Sequence, residues 1–354
     1  MQSAEAGQDS GGATGDAGHN RALADLYRTM RRIRSFEERV GELFLRGESA
    51  GSMLHLSIGE EAAAAGICAG MRPQDSFTTH HRGHGIFLAR GAEPQRMMAE
   101  IAGKRDGYCH GKGGSMHIAD MGLGHLGANA IVGGGIPAVV GAGLSSKRKR
   151  LGSVSVAFFG DGAMQQGILY ESMNMAALWD LPVLFVCINN QYGMGTRVDQ
   201  ATRATDFEKR AQAFGLDGRA VDGLDVEAVR QVAGEMIDAA RAGRPGFLTV
   251  SCYRFFGHAR MDKSPYRDAS EEAEGRKKDP VAFARDRLIA EALADAATLD
   301  QLDAEIGREM DASIEFAIAA EAPEQAAMFR DVFAAGEPEP EPLRTRLDRV
   351  LARR

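Results

Sequence analysis

Cysteine is scarce in this 354-residue chain: the four residues Cys68, Cys109, Cys187 and Cys252 show no paired spacing, so neither a disulfide framework nor a zinc ribbon is indicated. Long apolar runs are missing as well. Stretches such as 154–159 and 182–188 have strand length and fall far short of the ~20 residues that span a bilayer. Positive charge is not in excess: 42 Lys and Arg stand against 49 Asp and Glu, a net charge of -7, which excludes the field that nucleic acid or an anionic membrane selects. Residues 1–20 contain no Lys or Arg and no apolar stretch, unlike a secretory signal or a transit peptide. They are expected to form a disordered tail on a cytoplasmic protein. What remains is ordinary globular material, 44 % hydrophobic and 26 % charged, sufficient for a folded enzyme.

Apolar residues recur at helical spacing through 21–46 (Leu23, Leu26, Met30, Ile33, Phe36, Val40, Leu43), and Gly47 supplies a stop. This predicts a long amphipathic helix, followed by an alanine-rich helix over 60–69. Residues 103–143 hold many glycines and few long apolar side chains, the pattern of loops whose backbone must approach something closely. From Ser153 the pattern alternates: strand 154–159, helix 165–178, strand 182–189, helix 226–241, strand 246–252. Such alternation predicts parallel βαβ units in an α/β sheet with helical extensions. After Asp279 the chain reads as charged helix, and 336–342 (GEPEPEP) as a solvated linker. The expected division is a tail (1–20), an α/β domain (21–335) and a charged C-terminal tail (336–354). Glycines in 133–143 follow no predicted strand and lack an acidic ribose partner, so they fail as a dinucleotide loop. The basic run 147–150 reads as a solvated turn, and the histidines His80, His81, His84, His110 and His117 have no spacing suited to closed tetrahedral zinc.

The most specific feature is Gly160-Asp161-Gly162 directly after the strand VSVAFF, with Asn189-Asn190 following after 26 intervening residues at the end of the next strand. Alone, GDG is only a β-turn. With the asparagine pair it places both sites at the carboxyl ends of neighbouring parallel strands, where open α/β sheets hold ligands. Magnesium requires six oxygens and favours carboxylate plus phosphate. The Asp161 carboxylate, the Asn190 amide oxygen and the Tyr192 carbonyl make a credible half-shell, and a helix starting near Ala163 would aim its N–H groups at a diphosphate.

The surrounding text (SFEERV, HHRGHG, HGKGGSMHIAD, GANAIVGGGIP, FFGDGAMQQG, NMAALWDLPVLFVCINNQYGMGT, YRFFGHAR) resembles the alpha subunit of the thiamine diphosphate-dependent decarboxylating component of 2-oxo acid dehydrogenase complexes, of pyruvate or acetoin dehydrogenase type. The resemblance runs from about Leu23 to Pro280. It implies the thiamine diphosphate-binding fold with a doubly wound parallel sheet, an α2β2 heterotetramer with a beta subunit, and a lipoyl-bearing dihydrolipoyl acyltransferase that receives the acyl group. Position by position, it implies that His81 and Arg82 lie beside the diphosphate, that Ala130 and Val132 hold the aminopyrimidine, and that Gly162 and Ala163 present N–H groups. It further implies that Arg254 and His258 reach the phosphate end, and that His55, His84 and His258 serve proton transfer. Ala130 replaces the family's usual glycine, and Met53, preceded by Ser52, replaces a pocket aromatic. HIAD and GGGIP lean toward acetoin, YGMGT toward pyruvate. The alternatives are a branched-chain 2-oxo acid dehydrogenase alpha subunit, a non-catalytic regulatory homologue, or a dinucleotide-dependent oxidoreductase. In mitochondrial relatives a phosphorylated serine follows the loop histidine; here that position is Ala259, and the loop 257–267 reads as polar and mobile, with Ser264 open to modification.

Overall fold

A computed structural model describes residues 12–51, 53–332 and 341–352. Its centre is a six-stranded sheet of β1 (Ser76–His80), β2 (His125–Asn129), β3 (Ser155–Gly160), β4 (Val183–Asn189), β5 (Asp217–Asp222) and β6 (Gly246–Ser251). Their order is β2-β1-β3-β4-β6-β5, and every neighbouring pair is parallel. The register pairs Val156 with Leu184 and Phe158 with Val186 toward one core, and Ala157 with Phe185 and Phe159 with Cys187 toward the other. Both faces are covered, which is why β3 and β4 read as continuous apolar runs instead of alternating ones.

Helices α1 (Gly12–Leu45), α2 (Glu61–Ala69), α3 (His84–Ala89) and α4 (Pro94–Ile101) precede α5 (Ile136–Lys149), α6 (Gly167–Leu178) and α7 (Val226–Arg241). The apolar stripe of α1, with α2, α4 and α7, fills the first core. Helices α5 and α6 fill the second together with Phe207 and Ala211 of a short helical turn, so the sheet is doubly wound. Three further helices follow, α8 (Ala269–Lys277), α9 (Pro280–Ala290) and α10 (Ala296–Ala319), and the last two pack on α1. Arg32 of α1 donates to Glu309 of α10, and Tyr27 to Asp303. Among the described residues no helix is long and apolar enough to cross a membrane.

Several expectations need correction. The tail expected over 1–20 lies outside the described residues up to residue 11, and α1 already begins at Gly12, since extending a nucleated helix costs little per residue. Of the C-terminal tail, 336–340 lie outside the described residues, whereas Leu343–Leu351 is a short exposed helix. Strands β1, β2 and β5 escaped the sequence pattern because SFTTH, HLGAN and DGRAVD are short and rich in polar residues or glycine. With β2 in place, the Gly133 run does follow a strand and does open a helix, α5. The basic run is the exposed last turn of that helix, suited to its dipole and closed by Arg150 at φ 56. No single helix covers 165–178: a 3-10 turn, Asp161–Gln165, precedes α6.

Two glycine positions show what the backbone demands. Gly59 has φ +100, and a Cβ there would lie 2.0 Å from the Tyr253 carbonyl oxygen. Gly59→Ala is therefore expected to cost roughly 3 kcal/mol or more, read as a lowered urea midpoint; a midpoint equal to wild type would show that the segment shifts freely. In the 103–114 loop, Gly111 at φ +77 and Gly114 at φ +57 turn the chain around Glu100. That side chain, buried in α4, accepts N–H groups from Cys109 (2.8 Å), Gly111 (2.9 Å), Gly113 (2.7 Å) and Gly114 (3.0 Å).

Candidate active site

The sheet order reverses between β1 and β3: the chain leaves β1 toward β2 on one side and β3 toward β4 on the other. At this switch point the carboxyl ends open into a cleft of about 290 Å³. β1 delivers His80, His81 and Arg82; β2 delivers Asn129, Ile131 and Val132; β3 delivers Asp161, Gly162 and Ala163. Asn190, Tyr192 and Met194 follow β4, and Arg254 and His258 follow β6. A second crevice of about 580 Å³ lies at the ends of β5 and β6, but its lining carries none of the candidate site residues.

The asparagine pair has a local explanation. Asn189 Oδ1 accepts from Gln191 N (3.1 Å) and Asn190 Oδ1 from Tyr192 N (3.2 Å), two successive Asx turns, with Gln191 at φ 73. They fold the chain back at the end of β4, so that Asn190 and Tyr192 face the cleft beside Asp161. Burial raises the Asp161 carboxyl to about 6, helped by the nearby Glu60 and opposed by its own N–H, Arg254 and the N–H of Asn190. A buried carboxyl held that high is short of positive charge. Hard oxygen donors around it suit a divalent cation such as magnesium.

Beside this acidic end lies a basic one. Arg82 is buried, donating to Leu56 O (2.6 Å) and His258 O (3.0 Å), which leaves one N–H on each terminal nitrogen for a ligand. Arg254 is more a clamp than an open donor: it donates to Phe256 O, Met194 O and Tyr266 Oη, and burial beside Arg82 lowers it to about 10. The opposite wall is apolar, with Ile131 and Val132 exposed at 73 % and 51 %. The cleft is thus polar at one end and apolar at the other.

His55, His81 and His258 form a cluster with ring centroids 4.6, 4.8 and 5.3 Å apart and ligating nitrogens within 4.8 Å of one another. His55 Nδ1 and His81 Nε2 are buried without a hydrogen-bond partner. Three neutral imidazoles could bind a metal, yet Arg82 and Arg254 face the same space and would repel a dication. An electron-rich oxygen suits the cluster better.

Not every expected residue reaches the cleft. His84 is buried behind it, its Nδ1 3.1 Å from Glu37 and its Nε2 2.9 Å from Ser115 Oγ, so both nitrogens are occupied. It braces the segment that carries His55, because Glu37 also accepts from Ser57 N and Oγ. Ala130 is absent from the lining and does not adopt positive φ, so alanine is no strain there. Met53 is exposed and away from the cleft, and Ser52 lies outside the described residues. In the loop 257–267, Asp262 accepts from His258 N, Ser264 N and Tyr266 Oη, and Arg260 N donates to Leu54 O. Ser264 is buried in it, not open to modification. Glu60, Gln166, Asp262 and Tyr266 were missed. Gln166 lies within the FFGDGAMQQG stretch and Glu60 directly follows the glycine at 59; the other two carry no such signal.

Residues 28–327 match the family described as dehydrogenase E1 component, a span that holds the whole cleft. The chain belongs to this dehydrogenase E1 family. Among its relatives, the alpha subunit of acetoin:2,6-dichlorophenolindophenol oxidoreductase from Bacillus subtilis is 41 % identical over 88 % of this chain and 93 % of its own length. The protein of the same name from Cupriavidus necator is also 41 % identical, over 93 % of this chain and 98 % of its own length. The pyruvate dehydrogenase E1 component subunit alpha of Rhizobium meliloti is 38 % identical, over 86 % and 88 %.

The histidines give the E1 chain a pH signature. Burial holds His55, His80 and His125 at about 3 and His258 at about 4, with His81 lower still, and Arg82 adds to the effect on all but His125. In the unfolded chain each titrates near ~6.5. Their contribution is intact above that pH and is lost as pH falls toward the folded values, because the unfolded chain then binds more protons. Asp161, Glu60 and Glu61, raised by burial, act oppositely, but three carboxyls oppose five imidazoles. The urea midpoint is expected to be lower at about pH 5.5 than at about pH 7. An equal or higher midpoint would mean that these rings are solvated.

Proposed function

We propose that the chain is the cofactor-anchoring alpha subunit of a cytoplasmic thiamine diphosphate-dependent enzyme that cleaves the bond next to a carbonyl of pyruvate or acetoin and passes the acyl group to a lipoyl carrier. The observation that carries this reading is the convergence of Asp161, Asn190 and Tyr192 with Arg82 in one cleft that is apolar on its far wall. The names of the relatives, acetoin and pyruvate dehydrogenase alpha subunits, support it. When bound, thiamine diphosphate supplies a carbon nucleophile and an electron sink for the bond that breaks. Magnesium would be held by the Asp161 carboxylate, the Asn190 amide oxygen and the Tyr192 carbonyl. Arg82 and the N–H groups of Gly162 and Ala163 would hold the phosphates, and Val132 the ring end.

The protein's own part in the chemistry falls to His55 and His258. Their rings are depressed by burial and by Arg82, so they are neutral at neutral pH. An anion in the cleft offsets Arg82 and moves both toward the range in which an imidazole exchanges protons with a substrate oxygen.

The exposed Ile131, Val132 and Met194 support the reading that a second chain completes the site, a beta subunit in an α2β2 assembly served by a lipoyl-bearing acyltransferase. The purified chain is expected to turn over neither pyruvate nor acetoin alone. Mixed with its beta partner, thiamine diphosphate and magnesium, it should reduce 2,6-dichlorophenolindophenol with one of the two. Full turnover by the lone chain would end the split-site reading, and no magnesium-dependent thiamine diphosphate binding by the assembly would end the functional one.

A further inference from the structure

Glu60 is buried beside the cleft, and its use is not explained by the cofactor ligands themselves. It precedes α2 and forms no side-chain cap for that helix. Its Oε1 instead accepts from Asn190 Nδ2 at 2.7 Å, across 130 residues of sequence, and lies 3.9 Å from Arg82 Nε. An amide side chain has two ends of similar shape and opposite character. A carboxylate facing one end permits only the N–H group there, so the oxygen must face the other way. In this chain that oxygen also accepts from Tyr192 N, on the side of the metal half-shell.

We infer that Glu60 is a positioning residue that fixes the orientation of the Asn190 amide, presenting its oxygen for a divalent cation while keeping Arg82 charge-balanced next to the phosphate end. The inference rests on the magnesium assignment under Proposed function. Without Glu60 only the 3.2 Å contact from Tyr192 N opposes rotation of the amide, so the flipped rotamer becomes more accessible and selecting the right one costs affinity. Outer partners that orient a metal ligand typically account for about 10–100-fold in affinity. Orientation needs only an acceptor at the position of Oε1, which a glutamine can also supply.

Calorimetric titration of magnesium into the αβ assembly at saturating thiamine diphosphate tests this. Glu60→Ala is expected to weaken magnesium binding about 10-fold or more, and Glu60→Gln by no more than about 3-fold. Because Glu60→Ala leaves Arg82 without its acid and can fail to fold, a donor-acceptor swap gives an independent measure. Asn190→Asp sets two carboxylates face to face and should weaken magnesium binding about 10-fold or more. Adding Glu60→Gln to it restores a donor opposite an acceptor and should recover most of that loss, a coupling that a merely structural glutamate would not produce. Additive losses in the double variant, or a Glu60→Gln defect as large as that of Glu60→Ala, would overturn the inference. Wild-type assembly that binds thiamine diphosphate without any need for magnesium would overturn the metal assignment and the inference together.

Discussion

Asp161→Ala is expected to abolish magnesium-dependent binding of thiamine diphosphate, a loss of at least about 100-fold, while the chain still unfolds in one cooperative transition. The two halves of this expectation have separate causes. Asp161 is the only carboxylate among the three groups assigned to the metal, so its removal leaves two neutral oxygens that cannot hold a hard dication against water. Stability should change little, because burial has already raised the Asp161 carboxyl to about 6 and its charge is poorly accommodated in the folded chain without a cation. Calorimetry with thiamine diphosphate in the presence and absence of magnesium, together with a urea transition, reads both halves. Unchanged affinity would remove Asp161 from the metal site; loss of folding would show that it supports the turn after β3.

Arg82→Ala should damage both binding and stability. The guanidinium donates to carbonyls on two separate segments, Leu56 O and His258 O, and faces Glu60 with both side chains 2 % exposed. Burial lowers Arg82 and raises Glu60, which means that desolvation outweighs their mutual attraction. Such a pair adds little net stability while intact, but removing one member strands the other, at a cost of roughly 3–5 kcal/mol. The expected outcome is a markedly lower urea midpoint and no measurable thiamine diphosphate binding. Arg82→Lys should recover part of the stability and little of the binding, since a point charge cannot bridge two carbonyls and a phosphate at once. A midpoint within about 1 kcal/mol of wild type for Arg82→Ala would refute the strut.

The central βαβ pattern was legible because β3 and β4 are buried on both faces and their sequence cannot alternate. The cleft was legible because a carboxylate on a glycine turn and an amide pair at the next strand's end are rare enough to declare themselves. What stayed hidden has a physical reason in each case. β1 is central yet reads as polar, since Thr78 and Thr79 are buried by hydrogen bonding to Gly135 O and His125 and not by apolar character. His84 looked like a proton carrier because residue type says nothing about which partners a ring finds, and only the fold shows Glu37 and Ser115 occupying both nitrogens. The 257–267 loop reads as solvated charge in the sequence, whereas Asp262 accepts from the loop's own His258 N and Ser264 N.

Glycine-rich loops are commonly read as waiting for a phosphate, an empty hand of N–H groups that closes when the anion arrives. Between Gly103 and Gly114 the anion has already arrived, because the chain provides it: the Glu100 carboxylate sits where a foreign oxyanion would, with four backbone donors gathered on it. The ordering entropy of that loop is thus met once, during folding, and is not charged again at each binding event. The loop runs directly into Ser115, which meets His84, and His84 meets Glu37, which in turn accepts from Ser57, two residues beyond His55. In this part of the molecule the protein is its own first ligand.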